Sequence, residues 1–498
     1  MEFASTSKAE MGSILMAALC MVVGLVSLRW LLKSVNEWMH ESKLGHKRCS
    51  LPPGDMGWPL IGTILTFLRD MKSSDPDAFI NNNFVKRCGP TGLYKTFMFG
   101  HPSVIVTTPE AMKRVLTDDE AFVSAWPKAT LELTGKKSFV GISYDEHKRL
   151  CKLTSAPING HDALSGYLKF IEEDAVSTLE KLSNMGEIKF LTELRKLSFK
   201  IIMGIFLSEE SEPIMEVFEK EYCALNYGLR SLAINIPGFT YHRALKARKR
   251  LVALLQSIVT ARRDKRKNNI ASKAKDMMDH FLDIEDENGD KLGDDYIIDI
   301  LLMYLNAGHE SSGHTMMWAA ILMQENPEVF KKAKEEQENI VKRRPPTQKG
   351  LSLKETREMI YLNQIIDETL RWTSFALMVF RVARKDVNIN GYFIPKGWKA
   401  LAWFRSVHMD PEVYPDPKEF NPSRWDGFTP KPCSFVPFSA GARLCPGKDL
   451  AKLEISVFLH YFVLSYEVER LNPSAPLIFL PHPRPVDNCS AIVIKHNP

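Results

Sequence analysis

At 498 residues the chain exceeds the usual size of one domain, yet its 45% apolar and 25% charged residues suit a folded globular body, not a disordered or multi-span membrane chain. The formal charge of +5 is small for this length, and basic runs such as Arg262-Arg263-Asp264-Lys265-Arg266-Lys267 are broken by acid and lack interleaved aromatics, which sets nucleic-acid binding aside. The cysteines at 20, 49, 88, 151, 223, 433, 445 and 489 stand singly, without the paired spacing of zinc sites or disulfide scaffolds, as reduced thiols facing cytosol do.

Met11 to Leu28 is uncharged and about the shortest run that crosses a bilayer as a helix, and Trp30-Leu31-Leu32 can extend it. Glu2, Lys8 and Glu10 make a poor basic leader and no cleavage site follows, so residues 11–32 read as a transmembrane anchor, not a signal peptide. Residues 33–50 form a basic linker whose Lys33, Lys43, Lys47 and Arg48 place everything beyond them in the cytosol. Leu51-Pro52-Pro53-Gly54 then stiffens the chain and opens a single catalytic body over 51–498.

Within that body Pro237-Gly238 marks a loop between long helices, not a domain boundary. Ile298 to Trp318 predicts a buried helix, in which Gly308 costs about 1 kcal/mol relative to alanine and so asks for a reason. Ala319 to Lys342 predicts two surface helices interrupted at Asn326-Pro327. Glu368-Thr369-Leu370-Arg371 sets acid and base on one helical face. Val387 to Gly397 alternates around Asn390-Gly391, a hairpin signal, so the fold class is mainly α with small β-sheets.

Phe438 to Gly447 fits F-x-x-G-x-R-x-C-x-G, with a helical segment following at once, a pattern expected by chance in such a chain on the order of once in ten thousand. A cysteine at a helix start is a natural thiolate, because unpaired amides and the dipole lower its pKa. Gly441 permits a tight turn there. Together with Glu368-x-x-Arg371, Phe420-Asn421-Pro422-Ser423-Arg424 and Ala307-Gly308-His309-Glu310-Ser311, this loop resembles that of the cytochrome P-450 superfamily.

The resemblance implies a haem-thiolate monooxygenase of cytochrome P-450 fold, carrying heme b with Cys445 as the axial iron ligand. Phe438 would shield the sulfur, Gly447 would let the helix approach the porphyrin, and Arg443 and Arg381 would pair with haem propionates. His147-Lys148-Arg149-Leu150-Cys151 stands where the superfamily often has W-x-x-x-R, so His147 takes the first position and the arginine is missing; Lys148 or Lys152 would compensate. Gly308 would make room for dioxygen, Glu310 and Ser311 would pass protons, and serine replaces the commoner threonine. Glu368, Arg371 and Arg424 would form a buried charged network, while His309 and His314 read as packing or surface residues. With no flavin or nicotinamide fingerprint in the chain, electrons would come from a partner, an NADPH-cytochrome reductase, docked on Lys148, Arg149, Lys152, Lys448 and Lys452 at the endoplasmic reticulum membrane.

Leu51 to Gly62, Ala224 to Lys249 and Asn306 to Trp318 are similar to the plant ent-kaurenoic acid oxidase group. That implies a small terpenoid substrate, ent-kaurenoic acid, oxidised in successive steps in gibberellin biosynthesis; relatives of the group oxidise triterpene skeletons, which is the alternative. The pocket would be lined by Thr373, Phe375, Leu377 and Met378, the last two bulky where the group has smaller or more polar residues. A carboxylate entering an apolar pocket needs a cation, and Arg484 is the first choice ahead of Lys136 and Lys137.

Overall fold

The computed structural model describes residues 34–496 apart from 74, 230, 232 and 269–275, together with scattered positions between 16 and 32. Much of the expected anchor therefore lies outside the described residues, and among those described no helix is long and apolar enough to cross a membrane. Residues 34–50 fold onto the body instead of standing off as a linker. Asn36 is buried and donates to the Met56 carbonyl at 3.0 Å, while buried Glu41 holds Arg48 at 2.9 Å and Lys95 at 2.6 Å.

The body is mainly helical. Its long helices, in chain order, are α1 (Tyr144–Asn159), α2 (His161–Ser183), α3 (Phe190–Leu207), α4 (Met215–Leu229), α5 (Thr240–Lys267), α6 (Asp294–Gln324), α7 (Pro327–Arg343), α8 (Ile360–Thr373) and α9 (Lys448–Ser465). Helix α6 is buried on all sides from Ser312 as far as Met323, because its neighbours surround it. The break at Asn326-Pro327 falls where expected, but Ala319–Met323 are the buried end of α6, leaving α7 alone as a surface helix. Pro237-Gly238 does lie in the connection between α4 and α5.

One six-stranded sheet stands beside the helices. Its strands are β1 (Gly54–Asp55), β2 (Leu93–Met98), β3 (His101–Val106), β4 (Phe122–Ser124), β5 (Met378–Ala383) and β6 (Lys399–Trp403), in the order β1-β2-β3-β6-β5-β4. Side chains alternate between its faces. Val104, Val106, Ala400 and Ala402 pack against Met112, Leu116 and Val436 on one side, and Tyr94, Ile105, Leu401 and Trp403 against Phe67 and Phe79 on the other. The expected hairpin pairs Val387–Ile389 with Tyr392–Ile394, and both turn residues, Asn390 and Gly391, have positive φ as its tight turn requires.

Helix α8 is fixed at both ends. At its start, Glu336 of α7 accepts the amide protons of Tyr361 at 2.7 Å and Leu362 at 3.0 Å, satisfying two donors that have no partner within the helix. Near its end, Glu368 receives two parallel bonds from Arg371, both 2.8 Å, then Arg424 Nε at 2.9 Å, the Asn421 amide at 3.0 Å and Trp425 Nε1 at 3.1 Å. Arg371 Nη1 donates to the carbonyls of His408 at 2.9 Å and Pro417 at 2.8 Å, and Nη2 also to that of Glu419 at 3.3 Å. The His408 ring continues the connection: its Nε2 accepts from the Val436 amide at 3.0 Å, so Nδ1 carries the proton toward Ser374 Oγ at 2.9 Å. Burial, then the nearby Arg371 and Arg405, pushes its pKa down to about 3 and keeps it neutral.

Glu368→Gln removes the one carboxylate that both guanidiniums share and is expected to cost about 3–5 kcal/mol, against about 1 kcal/mol for Trp425→Phe. Urea unfolding followed by tryptophan fluorescence, comparing midpoints of the two variants, checks the difference.

Candidate active site

The cysteine loop is shaped by its glycines. Gly441 has φ +71, and a Cβ there would come within 2.4 Å of the Leu116 carbonyl oxygen, so no larger residue fits the turn. The Cys445 amide donates to the Phe438 carbonyl at 2.9 Å, and the Gly447 amide points at the thiol just before α9 begins. Asn159, at the end of α1, ties the loop down by donating to the Pro446 carbonyl. The thiol's pKa is nevertheless raised. Burial outweighs the Gly447 amide, so the helix start does not by itself make a thiolate as expected.

Beside this loop three basic side chains from separate elements converge. Arg381 on β5 is buried, and its pKa falls to about 10 from burial and then from the charge of Arg443. Arg443, from the cysteine loop, donates to the Phe139 carbonyl at 2.8 Å, and burial lowers its pKa too. His147 on α1, packed edge-on to Phe139, is driven to about 4 by burial, Arg443 and Arg381 in that order. Cys151, in the place where the superfamily often has an arginine, lies 3.6 Å from the His147 ring. Neither lysine replaces that arginine: Lys152 is turned to Glu287 at 2.6 Å and Lys148 is exposed.

On α6, Glu310 and Ser311 point different ways. Buried Glu310 meets Arg195 of α3 at 2.7 Å and Asn226 of α4 at 3.0 Å. His314 donates from Nδ1 to the Glu310 carbonyl at 2.6 Å, which leaves Nε2 toward Arg195 at 3.4 Å, and His309 meets Tyr222 at 3.3 Å. Both histidines therefore wall in the acid and are not bystanders. The Ser311 hydroxyl bonds back to the Ala307 carbonyl at 2.9 Å. Gly308 has a packing reason of its own: a Cβ there would come 2.7 Å from Ile202 of α3.

A cytochrome P450 family model matches residues 52–486. The chain belongs to the cytochrome P450 family. This P450 is 62% identical to ent-kaurenoic acid oxidase 2 of Arabidopsis thaliana over 98% of the chain and 100% of that protein. It is 53% identical to a 7,8-epoxymelianol synthase of Ailanthus altissima over 93% of each. Among solved structures it is similar to the retinoic acid-bound cyanobacterial CYP120A1, with a TM-score of 0.79 and 26% identity over 90% of the chain and 99% of that structure.

Membership of the P450 monooxygenases implies a haem whose iron is bound by a cysteine thiolate, and the residues present fit one. Arg381, Arg443 and His147 crowd together where burial lowers all three and the charge of Arg443 further lowers the proton affinity of Arg381 and His147, an arrangement that a pair of carboxylates would relieve. A Cβ on Gly447 would meet no described atom within 4 Å, so the helix start is open beside Cys445.

Other expected site residues are placed less simply. Thr373 turns inward, its hydroxyl bonded to the Thr369 carbonyl at 2.7 Å. Phe375 stacks on His482, centroids 3.8 Å apart, and meets His314 at 5.3 Å. Leu377 and Met378 pack toward the Phe67 and Trp403 cluster. Arg484 begins a two-residue strand opposite Ile478 and already has partners. Lys137 bonds Tyr296 Oη at 3.0 Å, and Lys136 is exposed. Of the cations expected to dock a reductase, Arg149 pairs with Asp286 at 2.5 Å and Lys452 with Asp367 at 2.7 Å, so with Lys152 also paired the face is largely neutralised.

The reduced, carbon-monoxide-bound protein is expected to show the red-shifted Soret band of a thiolate-ligated haem, and Cys445→Ser to lose it, as read from a difference spectrum. A second expectation concerns Glu454 of α9, buried between Ser198 of α3 and Ser312 of α6; burial lifts its pKa to about 7 against the pull of the two hydroxyls. Its folded pKa lies above its unfolded one, so its contribution is full below about pH 4.5 and lost by pH 7, roughly 3 kcal/mol in all. Glu454→Gln should flatten the fall in urea midpoint between pH 5 and pH 8.

Proposed function

We propose that the chain is a membrane-anchored P450 that binds heme b through Cys445 and oxidises ent-kaurenoic acid in successive steps of gibberellin biosynthesis. The observation that carries this reading is the 62% identity to an ent-kaurenoic acid oxidase over nearly the whole of both chains. When bound, the haem supplies dioxygen activation and oxygen insertion into an unactivated C–H bond. The chain's own residues hold and supply protons around it. Arg381 and Arg443 neutralise the propionates, with His147 as a neutral donor. Glu310, fixed by Arg195, keeps a carboxylate one residue from Ser311, whose hydroxyl can leave the Ala307 carbonyl to deliver a proton.

Electrons from an NADPH-cytochrome reductase and dioxygen complete the reaction. The exposed apolar side chains of Met16, Leu19, Met21, Val22 and Val23, followed by a basic flank, support a single-pass anchor in the endoplasmic reticulum with the catalytic body in the cytosol.

Microsomes containing the chain and a reductase are expected to convert ent-kaurenoic acid through sequentially more oxidised products, resolved by mass spectrometry. Turnover of a triterpene with none of ent-kaurenoic acid overturns the reading in favour of the triterpene oxidases.

A further inference from the structure

A cavity of about 870 Å³ opens between the end of α1, one face of α2, the second half of α3 and the turn that leads from α3 into α4. That volume suits a small organic molecule, for which pockets of roughly 300–1,000 Å³ are usual. None of Cys445, Arg381, Arg443, His147, Glu310 and Ser311 lines it, so it stands apart from the cysteine loop and the proton-handling pair.

Helix α2 supplies one wall by its spacing: Ala163, Gly166, Tyr167, Phe170 and Asp174 recur at intervals of three and four and so share a face. Small residues keep the space open. A Cβ on Gly166 would meet no atom within 4 Å, while Gly204 of α3 lets the Phe170 ring settle on its backbone, since a Cβ there would come 1.9 Å from that ring. Tyr167 is fixed by its hydroxyl bond to the Pro157 carbonyl at 2.8 Å, and Ile205 of α3 and Met215 of α4 add aliphatic surface.

Against these apolar walls one charge is poorly served. Asp174 lines the cavity at 6% exposure with one oxygen on Lys200 Nζ at 2.7 Å, and its other oxygen has no hydrogen-bond partner among the described residues. A buried carboxylate ordinarily takes several donors, and burial here lifts its pKa against the pull of Lys200, so Asp174 is short of positive charge. Asp162 and Glu212 add further negative charge, whereas Asp276 is already matched by Arg262 at 2.6 Å. Lys200 is the one lysine or arginine among the described lining residues, beside His161 and His280.

We propose that this cavity is a second ligand site, built for a cationic amphiphile: an amine or guanidine on a rigid apolar body, its charge on Asp174 and its body across Phe170, Ile205 and Met215. The ligand is not a substrate, since no lining residue belongs to the oxidising site. Pro157 and Gly160 flank Asn159, which holds the Pro446 carbonyl, so the occupant and the cysteine loop share a support.

Calorimetric titration of the full-length holoenzyme in phosphatidylcholine nanodiscs tests it, with naphthylmethylguanidine and the neutral naphthylmethylurea of the same shape as probes and the heats from empty nanodiscs subtracted. A guanidinium stays charged and has no lone pair to offer the haem iron. Wild-type protein is expected to bind the guanidine about tenfold more tightly than the urea, with the Soret band unmoved. Asp174→Asn is expected to weaken the guanidine about tenfold and leave the urea within about twofold. Gly166→Leu, which fills the cavity from an exposed position that favours helix, is expected to weaken both about tenfold or more. The reduced carbon-monoxide spectrum confirms that each variant is folded; should Asp174→Asn fail there, Gly166→Leu and the wild-type preference decide. Absence of binding, binding that survives Gly166→Leu, or a Soret shift in step with the heat overturns the site. Equal loss of both probes in Asp174→Asn, or no preference for the guanidine in wild type, overturns Asp174 as the receptor of the charge and the proposal with it.

Discussion

A single carboxylate, that of Glu368, sets the position of nearly everything on the thiol side of the molecule. It is fully buried and takes bonds from two guanidiniums, an indole and a backbone amide. Those donors come from α8 itself and from residues 421–425, so the acid acts as a hub that locks the second stretch onto the helix with bonds of fixed length and direction. Apolar packing could bury the same surface, but it would tolerate small slides that charged hydrogen bonds do not. From Arg371 the order passes to the His408 carbonyl, and from the His408 ring to the Val436 amide, two residues before Phe438. The cysteine loop therefore inherits its place from a helix far away in sequence.

The two sides of the reaction centre are arranged with opposite electrostatics. Toward Cys445, Arg381, Arg443 and His147 place basic groups together and await negative charge. On α6 a negative charge, Glu310, is surrounded by basic and amide groups drawn from α3, α4 and α6 itself. Burial raises the energetic stakes of each arrangement, since fields in a low-dielectric interior are screened little. Helix packing and charge placement are the same problem here: Gly308 and Gly313 bring α3 against α6, and that approach carries Arg195 to Glu310.

Features whose cause is local could be read from the sequence. The turn at Asn390-Gly391, the break at Asn326-Pro327, the spacing of Glu368 and Arg371 and the glycine needed at 441 each follow from backbone conformation over a few residues. Features whose cause is a distant partner could not. Nothing near Glu310 announces Arg195, which is 115 positions away, or Asn226 on another helix. Thr373 carries a hydroxyl suited to a pocket, yet at the end of a helix the carbonyl four residues back is nearer. Ala319–Met323 look like half of a surface helix until they are seen to be the buried end of α6. The basic stretch over residues 33–50 reads as a linker because the acid that seats it, Glu41, is outnumbered by its cations.

The turn around residue 483 has mechanical meaning. Trp318 Nε1 donates to the Pro483 carbonyl at 2.8 Å, and His482 lies against His314 and Phe375. Trp318 and Glu310 stand eight residues apart on one unbroken helix, about 12 Å. This turn is thus riveted to the helix that carries Glu310 and Ser311, and pushing it outward would strain that helix. Displacement of the turn and displacement of α6 are therefore one motion, and any give in this part of the molecule must come from elements not bonded to Trp318.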